Sequence, residues 1–600
     1  MEIAQYLSTK ELLTCIRVSH TCEAYFTPAL WTALPLEKMV VKKKNPPPIQ
    51  WNADSVRHLS VKVSTLSKGL SPFQTNVLRE CRNVEFFQIE ATPVEEDLQI
   101  LQFEDKVWKV LAKFVKGNQR IRRVDLGNGN INYSKDFIQA LAALPTLQRF
   151  KAEYIVLQGR QLGQLLRLLP LDSGNNHVTA LKSFSTSGPW MEGVEDLKKI
   201  ATDKTLLTLT HFNLTGAYNL TWNEQVNLIC RFPNLEILEW FYMDRKSCTE
   251  EFRASDFVTK IFKKCPRIKE LTLSSVVRMS PKIADYQNNI RDKHFEPIFR
   301  SAPVCLERIT VTESGFGPIA FKSLKSRPFF STLKELNLDQ CYEFTSQMAV
   351  ECLESCTGLT KFVVIEISAV DIARSAKKQG SKKWNCRNME YLKAHITQLG
   401  SVDPHHENAS QKAQDQYKKS LQLHKTVLEQ LSVMTRLIHL DVGRSKIPSI
   451  FGSDEESLYS SEEDDEDEDD SDNWTDGYSD DDNEDTRDLN PIQKMLMKQI
   501  RKTMEREFLG LGRNKGSMGD KPTKKGYLTL RGDAGLDILA AWSQLRYLNI
   551  QDLKQSMSAD DARWIRKNWP RLQTIEGELH SQAQKSQVLK AIAIGDRIFK

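Results

Sequence analysis

The chain of 600 residues lacks the sequence features of membrane and secreted proteins. It contains no run of about 18 apolar residues, so no transmembrane helix and no membrane partner are expected. Its first residues, Met1–Gln5, show no basic region followed by an apolar stretch, so no secretory signal is predicted. Its 11 cysteines form no Cys-x-x-Cys pair, which is typical of reduced thiols inside the cell. We therefore expect a location in the cytoplasm, the nucleus or both.

The sequence also has none of the common signatures of catalysis. It lacks the Gly-x-x-x-x-Gly-Lys-Ser/Thr phosphate loop, the His-Glu-x-x-His zinc motif and the Gly-x-Ser-x-Gly nucleophile turn. The adjacent His405 and His406 cannot share one face of a helix, so a surface loop is favoured over a metal site. We predict that the chain is not an enzyme and has no catalytic residue, no cofactor and no metal.

Acidic residues are concentrated in one segment. Residues 454–488 hold 20 of the 78 Asp and Glu residues and one of the 83 Lys and Arg residues, so the rest carries a net charge of +24. Such a composition buries too little apolar surface to fold, and we predict a disordered acidic insertion at 451–490. Its charge suggests that it masks the basic remainder or binds a basic partner. Serines with an acidic residue three positions later are candidate phosphorylation sites: Ser453, Ser460, Ser461 and Ser479.

What recurs along the chain is the phrase Leu-x-x-Leu-x-Leu, written with Leu, Ile, Val or Phe at the apolar positions. Most copies start 26 to 38 residues apart, and the shorter intervals match the length of a leucine-rich repeat. The alternating end of the phrase predicts a short strand, and the segments between copies often show helical spacing. The clearest copies are Ile121–Leu126, Ile268–Leu273, Leu306–Val311, Leu333–Leu338, Leu437–Val442 and Leu545–Ile550.

Stacked strand–helix units form one core, with a parallel sheet on the concave side and helices on the convex side. We therefore predict an α/β solenoid shaped like a horseshoe. A doubly wound α/β fold is the alternative, but it does not explain the recurring phrase. The chain resembles the leucine-rich-repeat family in its ribonuclease-inhibitor-like branch, which implies a solenoid over 51–450 and terminal repeats with a C-terminal tail over 527–600. A basic amphipathic helix and a Gly/Lys loop are predicted between them, over 491–526.

Residues 1–36 do not fit the repeat. Ser8 is a candidate N-cap, and Glu11 completes a capping box before apolar residues at helical spacing. A helical cap that shields the open end of the solenoid is one interpretation of this segment. A linker of lysines and prolines is predicted after it, over 37–50.

The same segment also resembles the second half of an F-box, with the first helix of that family truncated. The match rests on Leu7–Leu13, Cys15, Val18 and Ser19, followed by the Pro-x-Leu-Trp close at Pro28–Trp31. In the family this small helical module binds a Skp1-type adaptor. The resemblance implies that certain apolar residues divide between adaptor contact and the core of the module. They are Ile3, Leu7, Leu12, Leu13, Val18 and Trp31.

The concave face of the predicted sheet is the candidate site for a target protein. In each strand the residues on either side of the middle apolar position face outward, and no set of acid, base and nucleophile converges there. Apolar residues at these positions are candidate contacts to a target, unless loops or the C-terminal tail cover them. They are Phe86, Ile237, Phe241, Val363, Ile365 and Tyr391.

The F-box resemblance implies a substrate-recognition subunit of a Skp1–cullin–F-box ubiquitin ligase, similar to fungal proteins of this type. Its partners would be a Skp1-type adaptor with the cullin complex and an unidentified protein substrate, and the chain would be a monomer within that hetero-complex. The alternative is a leucine-rich-repeat scaffold without a ubiquitin role, whose acidic loop binds basic partners such as histones. A nucleic-acid binder is disfavoured, because the basic residues are dispersed and no recognised nucleic-acid module occurs.

Overall fold

The computed structural model describes most of the chain between Thr9 and Gly577. The described residues belong to one compact unit, Met1–Ser445 with Gly526–Lys600. The predicted acidic insertion and the predicted basic helix lie outside the described residues. The described residues are 7, 9–36, 52–90, 103–128, 133–153, 181–186, 208–215, 221–242, 253–275, 290–378, 383–400, 410–443, 528–551, 553 and 557–577.

In the described residues, 16 parallel strands form one sheet, and each strand pairs with the strands before and after it in the sequence. A doubly wound sheet would instead reverse its strand order at a switch point. The predicted α/β leucine-rich-repeat solenoid is therefore confirmed. The strands are β1 Ala33–Pro35, β2 His58–Lys62, β3 Phe86–Glu90, β4 Arg123–Asn128, β5 Arg149–Glu153, β6 Ser183–Thr186, β7 His211–Thr215, β8 Ile237–Tyr242, β9 Glu270–Ser275, β10 Arg308–Thr312, β11 Glu335–Asn337, β12 Lys361–Ser368, β13 Tyr391–Thr397, β14 His439–Asp441, β15 Tyr547–Asn549 and β16 Thr574–Glu576.

Helices precede the sheet and connect many of its strands. They are α1 Thr9–Ile16, α2 His20–Trp31, α3 Val63–Ser67, α4 Pro72–Glu80, α5 Asp105–Gly117, α6 Lys135–Ala142, α7 Trp222–Ile229, α8 (Ala254–Asp256, the π-helical turn Phe257–Ile261 and Phe262–Lys264), α9 Asp292–Ser301, α10 Pro318–Lys325, α11 Ser346–Ser355, α12 Ala369–Lys378, α13 Gln411–Leu431 and α14 Ala559–Asn568. Short 3₁₀ helices occupy Ala53–Ser55, Pro328–Thr332 and Leu536–Ala541. None of these described helices is both long and apolar enough to span a bilayer.

One row of apolar side chains, here called the ladder, runs through the middle of every strand on the buried face of the sheet. The pairing register aligns one residue per strand, and in the repeat phrase this is the second apolar position. Full burial of one such side chain contributes about 1.5–3 kcal/mol. All ladder residues are at most 1% exposed except the first, which is 7% exposed. They are Leu34, Leu59, Phe87, Val124, Phe150, Phe184, Phe212, Leu238, Leu271, Ile309, Leu336, Phe362, Leu392, Leu440, Leu548 and Ile575.

A buried asparagine ties two neighbouring repeats together. The amide nitrogen of Asn118, at the end of α5, donates to the carbonyl oxygens of Cys81 at 2.8 Å and Phe114 at 2.9 Å. Its amide oxygen accepts from the backbone N–H of Val84 at 3.1 Å. Because these buried groups would otherwise lack partners, Asn118 fixes the spacing between the repeats of β3 and β4.

A buried aspartate ties α9 to α10 of the next repeat. The carboxylate of Asp292 accepts three backbone N–H groups at the start of α10: Gly317 at 3.0 Å, Ile319 at 2.8 Å and Ala320 at 2.7 Å. These donors have no partner within their own helix, and the positive end of the helix dipole favours a carboxylate there. One repeat therefore caps the helix of the next.

The sheet begins earlier than predicted. Residues 51–450 were expected to hold the first repeats, but β1 lies inside the segment of 1–36 and pairs with β2 through Leu34 and Leu59. The strand was missed because it has only three residues and no complete copy of the phrase. The N-terminal helices are therefore followed directly by the first strand of the solenoid.

Candidate functional site

The N-terminal helices α1 and α2 pack against each other ahead of β1. The Ser19 hydroxyl caps α2 by accepting the backbone N–H of Cys22 at 3.1 Å, as expected for a serine N-cap. Within this pair Leu12 is buried, and Trp31 packs against the core of the solenoid at the end of α2. Those two residues of the predicted adaptor set therefore face the protein interior.

Three other apolar residues are open to solvent, one on each helix and one in the turn between them. Leu13 is 42% exposed, Val18 is 71% exposed and Tyr25 is 51% exposed. Leu13 and Val18 were in the predicted adaptor set, whereas Tyr25 was not. Leu7 is half-buried, and Ile3 and the predicted N-cap Ser8 lie outside the described residues.

The second candidate surface is the open face of the sheet, formed by the residue before and the residue after each ladder residue. The residues before the ladder form a leading row, in which neighbouring strands bring side chains into contact. At its N-terminal end the rings of His58 and Phe86 stack with centroids 4.2 Å apart, and the guanidinium of Arg123 lies 4.4 Å from the Phe86 ring centre. We call His58, Phe86 and Arg123 the N-terminal stack. Burial lowers the pKa of His58, so its ring is neutral at neutral pH.

A pocket of about 310 Å³ adjoins the N-terminal stack. It lies at the first edge of the sheet, where β1, β2 and the end of β3 line it. Its lining residues are Ala33, Leu34, Pro35, His58, Ser60, Lys62 and Glu90.

The middle of the leading row is mainly polar. His211 hydrogen-bonds Ser183 at 3.2 Å, and its other ring nitrogen lies 3.3 Å from Glu239. Ile237 is half-buried in this row between His211 and Glu270. The backbone of Phe241 pairs with that of Thr215, and its side chain lies outside the described residues.

Of the two predicted contacts on β12, Val363 is buried and Ile365 is half-buried. Val363 is on the open face by register but only 4% exposed. Lys393 on β13 is aligned with Val363 and forms an ion pair of 2.8 Å with Asp339, which follows β11 on the other side of β12. The register with β13 then shifts between Val363 and Glu366, and the extra residue removes Ile365 from the simple alternation.

The C-terminal end of the leading row carries the longest aromatic run of the open face. The rings of Tyr391 and His439 are 4.2 Å apart at 17°, and those of His439 and Tyr547 are 4.0 Å apart at 16°. The ammonium of Lys361 lies 5.5 Å from the Tyr391 ring centre, and the Tyr547 hydroxyl donates to Glu576 at the other end. We call Tyr391, His439 and Tyr547, with these two flanking charges, the C-terminal stack.

Burial and neighbouring charges shift the pKa values of three groups in and beside the C-terminal stack. Burial between the two tyrosines lowers the pKa of His439 to about 4, so this ring is uncharged at neutral pH. Burial raises the pKa of Asp441. Burial alone would lower the pKa of Lys393, but the hydrogen bond and charge of Asp339 raise it. The lysine is therefore firmly cationic.

Of the C-terminal stack, only Tyr391 was predicted from the sequence. His439 and Tyr547 occupy the position before the ladder residue in the copies Leu437–Val442 and Leu545–Ile550, so the repeat phrase itself contained their signal. The predicted series of outward residues ended at the strand of Tyr391, so it included neither of them. Across the described part of the chain, no group of three or more His, Cys, Asp or Glu side chains is placed to hold a metal ion.

No protein-family model and no curated protein matches the chain. Among solved structures it is similar to a chain of the yeast complex of Rad7 and Elc1, at 12% identity and a TM-score of 0.36, over 66% of this chain and 87% of that one. The leucine-rich-repeat protein LegL7 of Legionella pneumophila is 12% identical with a TM-score of 0.30, over 51% and 90%. TLR13, solved with ssRNA13, is 10% identical with a TM-score of 0.27, over 99% and 63%. The fold assignment rests on the strand order and the repeat of this chain itself.

Proposed function

We propose that this chain is the substrate-recognition subunit of a Skp1–cullin–F-box type ubiquitin ligase in the cytoplasm or the nucleus. The helices α1 and α2 bind a Skp1-type adaptor, and the open face of the sheet binds the target protein. Other subunits of the complex carry out ubiquitin transfer, and this chain performs no bond chemistry.

The observation that carries the proposal is the exposure of Leu13, Val18 and Tyr25 on a two-helix module ahead of the solenoid. Three exposed apolar side chains within one small module, Leu13 on α1, Val18 in the turn before α2 and Tyr25 on α2, support a protein contact there. The resemblance of 1–36 to an F-box gives the identity of that contact.

The direct test is co-purification of a Skp1-type adaptor with the full chain and its variants. Val18→Asp, alone and with Leu13→Asp, should abolish co-purification, because a charge would be placed in an apolar interface. The matched control is Val304→Asp, since Val304 is 72% exposed on the solenoid and Val18 is 71% exposed. This control should retain the adaptor.

Two results would contradict the proposal. The wild-type chain could fail to co-purify with the adaptor, which would favour the scaffold interpretation. Alternatively, Val18→Asp could bind as well as Val304→Asp, which would show that these helices are not the contact. Thermal melts of each variant identify any loss of binding that is due to unfolding.

A further inference from the structure

The leading row contains two aromatic stacks, and in each of them a cation of the chain covers one outer ring face. In the N-terminal stack, Arg123 on β4 lies over Phe86 on β3. In the C-terminal stack, Lys361 on β12 lies over Tyr391 on β13. Aromatic rings attract cations because the ring quadrupole makes the electrostatic potential above the ring face negative. A cation therefore completes the stack at both places.

In the part of the chain that the structure describes, no such cation covers the outer face of Tyr547. Its inner face contacts His439, and the next residue of the row is Thr574 on β16. Among the described residues no Lys or Arg lies over this ring. Thr574 is aligned with Tyr547 on the next strand of the sheet. In the same way, Arg123 is aligned with Phe86 on the strand after it.

The charge beside this ring face is negative. Glu576 accepts the hydroxyl of Tyr547, and within the described part of the chain it forms no ion pair. His439 is neutral at neutral pH, so the stack itself does not repel a cation. A planar guanidinium can stack on a ring and donate to a carboxylate at the same time, whereas an ammonium offers only its charge.

We propose that the outer face of Tyr547 and the carboxylate of Glu576 bind an arginine side chain of a partner protein. The guanidinium lies over Tyr547 as that of Arg123 lies over Phe86, and Glu576 accepts its hydrogen bonds. This inference deepens the proposed function, because the partner is then the target. Its test contains no adaptor, so its failure can be distinguished from a failure of adaptor binding.

The experiment uses the purified full chain and an array of short random peptides, each made in arginine, lysine and citrulline forms. Citrulline keeps the shape of arginine without its charge. The wild-type chain should bind a subset of the arginine peptides, the lysine forms less well and the citrulline forms least. Affinities of the best peptides are then measured by fluorescence anisotropy at physiological salt.

Four variants locate the binding. Tyr547→Ala should weaken the best arginine peptides by about threefold to thirtyfold, as expected for a cation–π contact, whereas Tyr547→Phe should retain the stacking and most of the affinity. Thr574→Arg should supply the missing cation from within the chain and remove the preference for arginine, and Thr574→Ser is its matched control. All four retain the acidic segment of 454–488, so its non-specific attraction for basic peptides is a constant background.

The proposal is wrong if the wild type binds no arginine peptide, or binds the arginine and citrulline forms equally. It is also wrong if Tyr547→Ala and Thr574→Arg bind the arginine peptides like the wild type. Loss of binding in Tyr547→Ala alone could reflect a local collapse of the stack. Thr574→Arg excludes that explanation, since it preserves all three rings.

Discussion

The N-terminal helices and the sheet place their apolar residues in opposite ways. In the sheet, the ladder is buried on every strand and belongs to one core that extends from Leu34 to Ile575. In the N-terminal module, α2 has no buried residue, and Leu13, Tyr25 and the turn residue Val18 are exposed. Both regions are rich in apolar residues, so composition does not account for the difference.

The number of neighbouring strand–helix units accounts for this difference in burial. Each strand–helix unit of a solenoid is covered by the unit before it and the unit after it, so its apolar face is satisfied within the chain. The pair α1 and α2 stands ahead of β1 and has the solenoid on one side only. We therefore expect exposed apolar residues on α1 and α2 if another protein packs against the surface that the solenoid does not contact.

The largest effect should follow from a change in the ladder. Leu336→Ala removes a side chain with no exposed surface and should lower the free energy of unfolding by about 2–5 kcal/mol. Urea unfolding followed by circular dichroism measures it. The matched control is Leu13→Ala, at an exposed leucine. Equal losses of stability in the two variants would show that ladder and helix residues do not differ in their contribution to folding.

A smaller loss is expected from the aspartate that joins two repeats. Asp292→Ala leaves three backbone N–H groups of α10 without their acceptor and should cost about 2–4 kcal/mol, and Asp292→Asn should cost less. The same unfolding experiment applies. Asp560→Ala, at an exposed carboxylate in the first turn of α14, should change stability little. A comparable loss of stability in Asp560→Ala would show that the effect of Asp292→Ala does not depend on its contact with the next repeat.

The C-terminal stack should make stability depend on pH. In the unfolded chain His439 takes up a proton near its ordinary pKa of 6.5, whereas in the folded chain it stays neutral down to about 4. The unfolded state binds more protons in this window, so the stack contributes its full stability above pH 6.5 and loses it as the pH falls toward 4.

Melting temperatures across this window test the effect. His439→Phe retains a stacked ring that cannot be protonated, so it should show a smaller decrease between pH 6.5 and pH 4 than the wild type. His20→Phe, at a fully exposed histidine, should follow the wild type. If His439→Phe follows it as well, the stacked histidine does not contribute to the acid sensitivity.

The smallest effect on stability should come from the N-terminal helices. Leu13→Ala and Val18→Ala remove exposed side chains and should change the free energy of unfolding by no more than about 0.5 kcal/mol. Losses near those of Leu336→Ala would mean that these residues are structural. The proposed adaptor contact would then lose its basis.

Much of the fold could be predicted from the sequence, because the repeat phrase marks the buried position of each strand directly. The copy at Leu333–Leu338 predicts that Leu336 is buried, and it is. Burial on the open face could not be predicted in this way. Val363 is aligned with Lys393, whose ion pair with Asp339 joins residues that lie 54 positions apart in the sequence. Ile365 depends on a register shift that the alternation does not reveal.

By itself, the sequence determined the ladder, the helices that cover it and the charge of the chain, since these follow from local spacing and composition. Only the tertiary structure decided which open-face residues meet. His439 and Tyr547 are separated by more than a hundred residues, but adjacent strands of a parallel sheet lie about 4.8 Å apart whatever the length of the connection between them. That spacing brings the two rings into a stack, and it leaves one face of Tyr547 beside a threonine instead of a cation.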